Sequence, residues 1–298
     1  MNPYYKDYSE FLAEHFDGKV QKLSVDVGFT CPNRDGSAGT GGCIYCNNRA
    51  FSPDWDKRHT PVAEQIARGK RFFGKKYPDM KYLAYFQSYT STYASPDSLM
   101  ALYNEALDQD DIVGLIIGTR PDCMPDSLLD RIASLDTKVF IEYGAESSHN
   151  STLSLINRCH TWEATVDAVH RTAARGIPVG LHLILGLPGE DEEMMTTTVE
   201  RVSSLPVSTV KFHQLQILRG TTLEKMAPML DIPAFTAEEY AALCARLLGH
   251  LRSDIAVERF VAQAPDDMLL SPRWGLKNYQ FTSLLQKHLA AMAHLRCK

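Results

Sequence analysis

Short apolar runs alternate along the chain with longer segments of helical periodicity. Runs rich in β-branched and aromatic residues predict six strands, over 23–29, 82–86, 112–119, 138–143, 179–185 and 207–215. The helical pattern of apolar positions covers 61–77, 96–107, 125–135, 161–175 and 190–204. Regular alternation of strand and helix predicts a parallel sheet, and the weak apolar–polar alternation is typical of strands covered on both faces.

Six strand–helix units favour an α/β fold built as a partial (β/α)6 TIM-like barrel over a complete eight-unit barrel. An open doubly wound sheet is the structural alternative. Beyond Gly220 the pattern changes to a helix over 236–251, a short strand over 255–261 and a last helix over 278–295. We therefore expect a barrel over 1–219 and a small C-terminal α/β extension over 220–298 that packs on it.

The composition of the 298 residues is that of an ordinary globular protein, with 44% hydrophobic residues and a net charge of -5. No apolar run is long enough to span a bilayer, and the charged, tyrosine-rich start is not typical of a signal peptide. We therefore expect a cytoplasmic protein with no membrane partner. Basic residues concentrated over 68–81 indicate a solvated helix face, which neither establishes nor excludes an RNA partner.

The distribution of the seven cysteines points to candidate chemistry. An odd number of cysteines in a long chain without a secretory signal argues against a disulfide framework and favours metal or redox chemistry. Four of them are isolated in the sequence, namely Cys123, Cys159, Cys244 and Cys297. The other three, Cys31, Cys43 and Cys46, share a glycine-rich segment over 30–48, the cysteine loop, which directly follows the first predicted strand. Active-site loops of β/α barrels gather at that position.

The spacing of these three cysteines leaves two metal sites open. Three thiolates can hold three irons of a four-iron cluster, and the fourth iron then accepts a small-molecule ligand. The alternative is structural zinc, which needs a fourth ligand such as His59. No second Cys-x-x-Cys pair follows at the spacing of a zinc ribbon, so the spacing favours the cluster.

The sequence from Thr30-Cys31-Pro32-Asn33-Arg34-Asp35-Gly36 to Gly42-Cys43-Ile44-Tyr45-Cys46 resembles the radical S-adenosylmethionine (SAM) superfamily. Its Cys-x11-Cys-x2-Cys spacing is similar to the wide-spaced branch that includes the catalytic subunit of Elongator, and more closely to a YtqA/YhcC-like bacterial group. The resemblance implies a radical SAM barrel with a [4Fe-4S] cluster on the three cysteines. It also implies reductive cleavage of SAM to a 5′-deoxyadenosyl radical, with an electron donor such as flavodoxin or ferredoxin.

Two strand ends resemble the SAM-binding segments of this superfamily. The end of the second strand, over 85–92, lies where relatives bind the SAM amino group, which makes Gln87 and Ser88 candidates although the usual Gly-Gly-Glu is absent. The segment 180–190 is similar to the Gly-x-Ile-x-Gly-Leu-Pro-Gly strand end, which implies close backbone approach to the adenine at Gly186. An ordinary polar strand end and a strand-to-helix turn are the alternatives.

The fourth strand carries a further resemblance. Segments 141–147 and 156–158 are similar to the Glu-x-Gly-x-Gln and Asn-Arg-Gly-His signatures of the branch, with Glu146 in place of the glutamine. This implies that Glu142 contacts the SAM ribose or amino group and that Arg158 pairs with its carboxylate. A barrel-rim ion pair and a helix-surface arginine are the alternatives.

Lys211 and His213 are the candidate catalytic residues. Alternate side chains of a strand share one face, so both can point into a substrate cavity from the sixth strand. Wide-spaced relatives act on the wobble uridine of transfer RNA, and the resemblance implies tRNA side-chain modification here. A radical SAM enzyme acting on a small metabolite, and a metal-binding sensor module without catalysis, stay open as alternatives.

Overall fold

A curled parallel sheet of seven strands forms the centre of the computed structural model, which describes residues 2–50, 60–74, 77 and 79–296. The strands are β1 (Val20–Val25), β2 (Lys81–Phe86), β3 (Ile112–Thr119), β4 (Lys138–Glu146), β5 (Val179–Leu185), β6 (Thr209–Gln214) and β8 (Ala256–Arg259). They follow one another across the sheet in chain order, and every neighbouring pair is parallel. A short antiparallel pair stands apart from this sheet, formed by β7 (Ile217–Leu218) and β9 (Leu269–Ser271).

Helices connect the strands and cover the sheet. They are α1 (Tyr8–Ala13), α2 (Val62–Gly74), α3 (Pro96–Leu107), α4 (Asp126–Ala133), α5 (Asn150–Leu155), α6 (Trp162–Ala173), α7 (Glu192–Ser203), α8 (Thr222–Met226), α9 (Ala237–Leu248) and α10 (Asn278–Arg296). Side-chain caps define several starts, because a cap satisfies an otherwise unpaired backbone N–H. Ser95 caps α3, Asp191 caps α7, and Thr236 forms a capping box with Glu239 in α9. None of the helices in the described ranges is long and apolar enough to cross a membrane.

The expected α/β partial barrel is confirmed, and the structure adds a seventh strand to it. The short strand expected beyond Gly220 is β8, which pairs with β6 in the same sheet, with Thr209 opposite Ala256. Sequence pattern shows that a segment is extended but does not show which strand it pairs with. The division into parts at residue 219 stays a prediction, although both parts contribute strands to one sheet.

The first strand ends earlier than its apolar pattern suggests. β1 stops at Val25, because the Asp26 carboxylate accepts a hydrogen bond from the Gly28 N–H at 2.8 Å and Gly28 adopts a φ of 76°. That left-handed conformation suits glycine and turns the chain out of the strand. The turn directs the following residues over the carboxyl ends of the strands, where the cysteine loop begins.

Helix α1, which the sequence pattern did not predict, closes the opposite end of the barrel. Phe11 is 3% exposed and packs edge-on against Phe140 of β4, with 5.5 Å between the ring centroids. Leu83, Ile116 and other inward-facing residues complete this small apolar cluster. Full burial of a phenylalanine side chain contributes about 1.5–3 kcal/mol. Because α1 seals the amino ends of the strands, the polar interior opens toward their carboxyl ends.

Candidate functional site

One cavity lies at the carboxyl ends of the strands and collects most of the candidate residues. Its lining includes Cys43, Cys46, Tyr85, Gln87, Ser88, Arg120, Glu142, Glu146, Arg158, His182, His213, Gln216 and Arg259. These side chains come from the cysteine loop, from the segment after α5 and from strands β2 to β6 and β8 or their ends. Residues far apart in sequence therefore share one concave polar site, as is usual at this face of a β/α barrel.

The cysteine loop is held in place by the segment that follows α5. The Asn157 side chain donates to the carbonyl oxygens of Gly42 at 2.8 Å and Thr40 at 3.0 Å. In return, the Asn33 side chain donates to the Asn157 carbonyl at 2.5 Å. Gly42 has a φ of 79° and Asn157 a φ of 55°, left-handed conformations that glycine and asparagine adopt more readily than other residues. Paired turns thus fix the backbone on both sides of Cys43.

Two hydrogen-bond donors meet the sulfur of Cys43. Nη1 of Arg158 lies 3.5 Å from Sγ, and Nδ2 of Asn33 lies 3.6 Å from it. Donors to sulfur stabilise a thiolate and tune a metal–thiolate centre. Burial, followed by the nearby Cys43, raises the pKa of the Cys46 thiol. Cys31 and Cys43 are buried, Cys46 is half-buried, and none of the three is in a disulfide bond.

Several buried polar atoms of the cavity have no hydrogen-bond partner within the described protein. They include Oγ of Ser88, Nη1 of Arg120, Nε of Arg158 and Oε1 of Gln216. Buried polar groups are nearly always paired in folded proteins, so such a set indicates a polar ligand. Cys43 and Cys46 line the same cavity, and Cys31 is buried in the same loop, an arrangement that fits a thiolate-bound cluster with a polar molecule next to it.

The donor set does not have the shape of a mononuclear metal site. Within 2–50, 60–74, 77 and 79–296, no three His, Cys, Asp or Glu side chains form a group that could hold a single metal ion. In a four-iron cluster, by contrast, each thiolate binds a different iron. His59, the expected fourth ligand of the zinc alternative, lies outside the described residues, as does Cys297.

Beneath the cavity lies an interior charge cluster made of Lys22, Glu142, Lys211 and Glu258. Glu142 accepts from Lys22 at 3.0 Å and from Lys211 at 2.5 Å. Glu258 lies 2.5 Å from Lys22 and 3.2 Å from Lys211. His182 approaches the same Glu142 oxygen as Lys211, at 3.0 Å. The cluster joins side chains of β1, β4, β6 and β8 and so links the two edges of the curled sheet.

The protonation of this cluster follows from its pairing. Burial opposes ionisation of Glu142, but Lys211 and Lys22 outweigh it and hold the pKa of Glu142 well below its ordinary value. Burial lowers the pKa of Lys211 to about 8, against the raising effect of Glu142 and Glu258. Burial and then Lys211 lower the pKa of His182. At neutral pH the two lysines and two glutamates are therefore charged and cancel, and His182 is neutral.

The predicted SAM-binding residues differ in whether their polar atoms are free to bind a ligand. Ser88 and Arg158 present unpaired polar atoms in the cavity, whereas the Gln87 side chain donates to Ser24 of β1 at 2.8 Å. Glu142 lines the cavity, but its oxygens accept from Lys22, Lys211 and His182.

Gly186 is not brought to this cavity. It lines a neighbouring cavity, and a β-carbon there would lie 3.2 Å from the Phe235 ring. Of the two catalytic candidates, His213 faces the cavity, whereas Lys211 is 2% exposed and belongs to the interior charge cluster. The roles of all these residues stay predictions.

Sequence reasoning missed two arginines of the cavity. Arg120 directly follows β3, is 1% exposed, and makes a two-pronged contact with Asp122 at 2.9 and 2.8 Å. Its position after a predicted strand could have identified it. Arg259 could not have been found in this way, because its strand joins the sheet only through tertiary pairing with β6.

Comparison with known proteins agrees with this geometry. The family described as "Radical SAM superfamily" matches residues 31–202, and "Radical_SAM C-terminal domain" matches residues 207–291. YtqA of Bacillus subtilis is 34% identical over 287 residues, which cover 96% of this chain and 89% of YtqA. YhcC of Escherichia coli is 36% identical over 266 residues, which cover 88% of this chain and 85% of YhcC.

More distant similarities extend to archaeal proteins. A tRNA uridine(34) acetyltransferase of Methanocaldococcus infernus is 24% identical over 189 residues, which cover 62% of this chain and 34% of that protein. An N-terminally truncated Elp3 structure from the same organism superposes with a TM-score of 0.70 at 17% identity and covers 93% of this chain and 64% of that one. At this identity the superposition establishes the fold alone.

The family matches decide between the cluster and zinc. Radical SAM proteins are enzymes that use a [4Fe-4S] cluster and SAM and require an electron donor. The match spans more than half of the chain and includes the three cysteines of the loop. The chain therefore belongs to the radical SAM superfamily, in its YtqA/YhcC-like group.

Proposed function

We propose that this chain holds its cluster on Cys31, Cys43 and Cys46, binds SAM in the cavity beside them, and modifies the side chain of a wobble uridine in tRNA. The observation that carries the first part is the convergence of the cysteine loop with unpaired buried polar atoms in one cavity. When bound, the cluster and SAM supply the electron transfer and the 5′-deoxyadenosyl radical that abstracts a substrate hydrogen. We further propose a cytoplasmic location and a flavodoxin or ferredoxin as electron donor.

The chain's own residues bind and orient. Arg158 touches Cys43 through Nη1 and leaves Nε unpaired, so it can hold a carboxylate next to the cysteine loop. Ser88, which follows β2, offers an unpaired hydroxyl at 3% exposure. Helix α1 closes the far end of the barrel and limits water entry from that side. These groups position ligands, and the interior charge cluster supports the cavity from below.

The tRNA part of the proposal rests on similarity. It is supported by the sequence similarity to archaeal tRNA uridine(34) acetyltransferases, of which this chain covers about a third. The alternative is a radical SAM enzyme that acts on a small metabolite, for which a concave barrel cavity is also suited.

Anaerobic reconstitution tests the cofactor part. We expect about four irons and four sulfides per chain and production of 5′-deoxyadenosine from SAM after chemical reduction. Iron and sulfide are measured colorimetrically, and the nucleoside is measured by liquid chromatography. Stoichiometric zinc without iron, or no cleavage of SAM, would refute this part.

Nucleoside mass spectrometry tests the substrate part. Total tRNA from a strain lacking the gene is compared with tRNA from the same strain complemented by the wild-type or the Cys43→Ala gene. We expect a modified wobble uridine to disappear and its precursor to accumulate, with restoration by the wild-type gene alone. An unchanged nucleoside profile would contradict the tRNA assignment and favour the metabolite alternative.

A further inference from the structure

Arg259 differs from the buried arginines of the cavity because it forms no ion pair with a carboxylate of the described residues. Its Nη2 lies 3.1 Å from Nε2 of His213, and its Nε is buried without a partner. Within the described residues it takes part in no ion pair, whereas Arg120 pairs with Asp122 and Arg158 with Glu146. Glu258 feels the Arg259 charge at longer range but pairs with Lys22 and Lys211, so no carboxylate of the described residues contacts the guanidinium.

The other charged side chains near Arg259 do not neutralise its positive charge. The two lysines and two glutamates of the interior charge cluster pair with one another and cancel. Burial, and after it the Arg259 charge, holds the pKa of His213 well below its ordinary value. His213 is therefore neutral at neutral pH and offers a hydrogen bond without a counter-charge.

The neighbourhood is polar and partly unsatisfied. Oε1 of Gln216, a buried acceptor without a partner, lines the same cavity as Arg259 and His213 and would take a hydrogen-bond donor of the ligand rather than its anionic group. Arg259 is half-buried, and its buried Nε costs free energy unless a partner is supplied. A guanidinium matches the two oxygens of a carboxylate or a phosphate in a planar, two-pronged contact. The missing partner therefore has the chemistry of an oxyanion.

We infer that the side of the cavity formed by β5, β6 and β8 is a subsite for an anionic group of the substrate, a carboxylate or a phosphate, bound by Arg259 and His213. This rests on the proposed function, because it assigns a substrate class to the same cavity. The subsite lies on strands later in the sheet order than β1 to β4, whose ends carry the cysteine loop, Ser88 and Arg120. SAM next to the cysteine loop and a substrate bound by Arg259 can thus share the cavity.

Anion binding to the reconstituted enzyme tests this inference. Sodium acetate and sodium phosphate are titrated at constant ionic strength, with sodium chloride as the reference, and the melting temperature is followed to obtain a dissociation constant. Wild type is compared with Arg259→Gln, Arg259→Lys and a matched control, Arg246→Gln. Arg246 pairs with Glu192 at 2.5 Å on the outer surface, away from the cavity.

We expect Arg259→Gln to weaken binding of the preferred anion about tenfold or more, since a charged hydrogen bond is lost. Arg246→Gln is expected to bind like wild type. If Arg259→Gln does not fold, Arg259→Lys decides, because a point charge in place of the planar fork lowers the affinity severalfold. Preference for acetate identifies a carboxylate, and preference for phosphate identifies a phosphate.

Three outcomes would overturn the inference. They are no binding of either anion to wild type, equal binding by wild type and the Arg259 variants, and loss of binding in Arg158→Gln instead. The last outcome would place the anion next to the cysteine loop. SAM cleavage by wild type is measured separately, so failure of the proposed function is distinguishable from failure of this subsite.

Discussion

The cysteine loop and the interior charge cluster lie one above the other, but they are encoded differently. The loop concentrates its chemistry within 31–46, and the spacing of its cysteines is visible in the linear sequence. The cluster joins Glu142 to Lys211 across 69 positions, Glu142 to Lys22 across 120, and Lys22 to Glu258 across 236. A local sequence motif can therefore indicate a cofactor. The polar interior beneath the cofactor site, by contrast, forms only when the sheet curls and brings distant strands together.

The two regions also depend on different interactions. Hydrogen bonds between Asn33, Asn157 and backbone carbonyls hold the loop, and each contributes about 0.5–1.5 kcal/mol. The interior charge cluster depends on buried charges that neutralise one another. Removing any one of them leaves its partner charged and unpaired, which lowers the stability of the fold. We expect substitutions in the loop to affect cofactor binding first and substitutions in the cluster to affect folding first.

The largest expected effect is in the loop. Cys43→Ala removes a thiolate and should abolish the cluster and SAM cleavage, with iron falling from about four per chain toward zero. The matched control is Cys244→Ala, since Cys244 is also buried, at 1% exposure against 7% for Cys43, but lies in the apolar face of α9. Iron analysis checks both proteins. Full iron content in Cys43→Ala, or loss of iron in the folded control, would break the comparison.

The next largest effect is expected in the interior charge cluster. Glu142→Gln removes one of the two carboxylates that neutralise Lys22 and Lys211. It should therefore lower the free energy of unfolding by about 3–5 kcal/mol. Urea unfolding measures this change. The control, Asp97→Asn, breaks an exposed ion pair with Arg131 and should cost about 1 kcal/mol or less. A loss in Glu142→Gln as small as in the control would show that the cluster does not support the fold.

A smaller effect is expected where the two regions meet. A β-carbon at Gly144 would lie 2.5 Å from Nη2 of Arg158 and 2.6 Å from Oε1 of Glu146. Gly144→Ala should therefore displace Arg158 from Cys43, lower the stability by about 1–3 kcal/mol and weaken SAM binding about tenfold. Equilibrium binding of SAM to the reconstituted protein checks this.

Gly74→Ala is the matched control for that substitution, because among the described residues a β-carbon there meets only the Tyr82 hydroxyl, at 3.7 Å. We expect it to bind SAM like wild type. Unchanged SAM binding in Gly144→Ala would argue against a role of Arg158 in holding SAM.

The smallest effect is a pH dependence of the interior. Burial, followed by Arg259, lowers the pKa of His213 below the ordinary value of about 6.5, so the unfolded chain takes up this proton first as the pH falls. His213 therefore costs stability progressively below about pH 6.5, by at most about 1.4 kcal/mol per pH unit.

Urea unfolding of wild type and His213→Gln across this range measures the effect. The difference between the two proteins should be constant above about pH 7 and should shift in favour of the variant as the pH falls below 6.5. A constant difference over the whole range would show that His213 is protonated alike in the folded and unfolded chains.

Much of the fold could be predicted because its signals are local. Buried parallel strands have continuous apolar runs, and the helices between them have amphipathic patterns and caps such as Ser95 and Asp191. The place of β8 in the sheet and the closure by α1 could not be predicted, since both depend on long-range packing. Phe11, for example, is buried because it packs against Phe140 of β4 and residues of other strands.

By itself, the sequence determined the fold class and the cofactor of this protein. The periodicity of apolar positions specifies strands and helices, and the cysteine loop favours a cluster by its spacing and indicates it by its resemblance to the radical SAM superfamily. Only the tertiary structure decided which charges compensate one another. Lys22, Glu142, Lys211 and Glu258 neutralise one another because the curled sheet brings four strands together, and the same curl leaves Arg259 without an ion pair among the described residues.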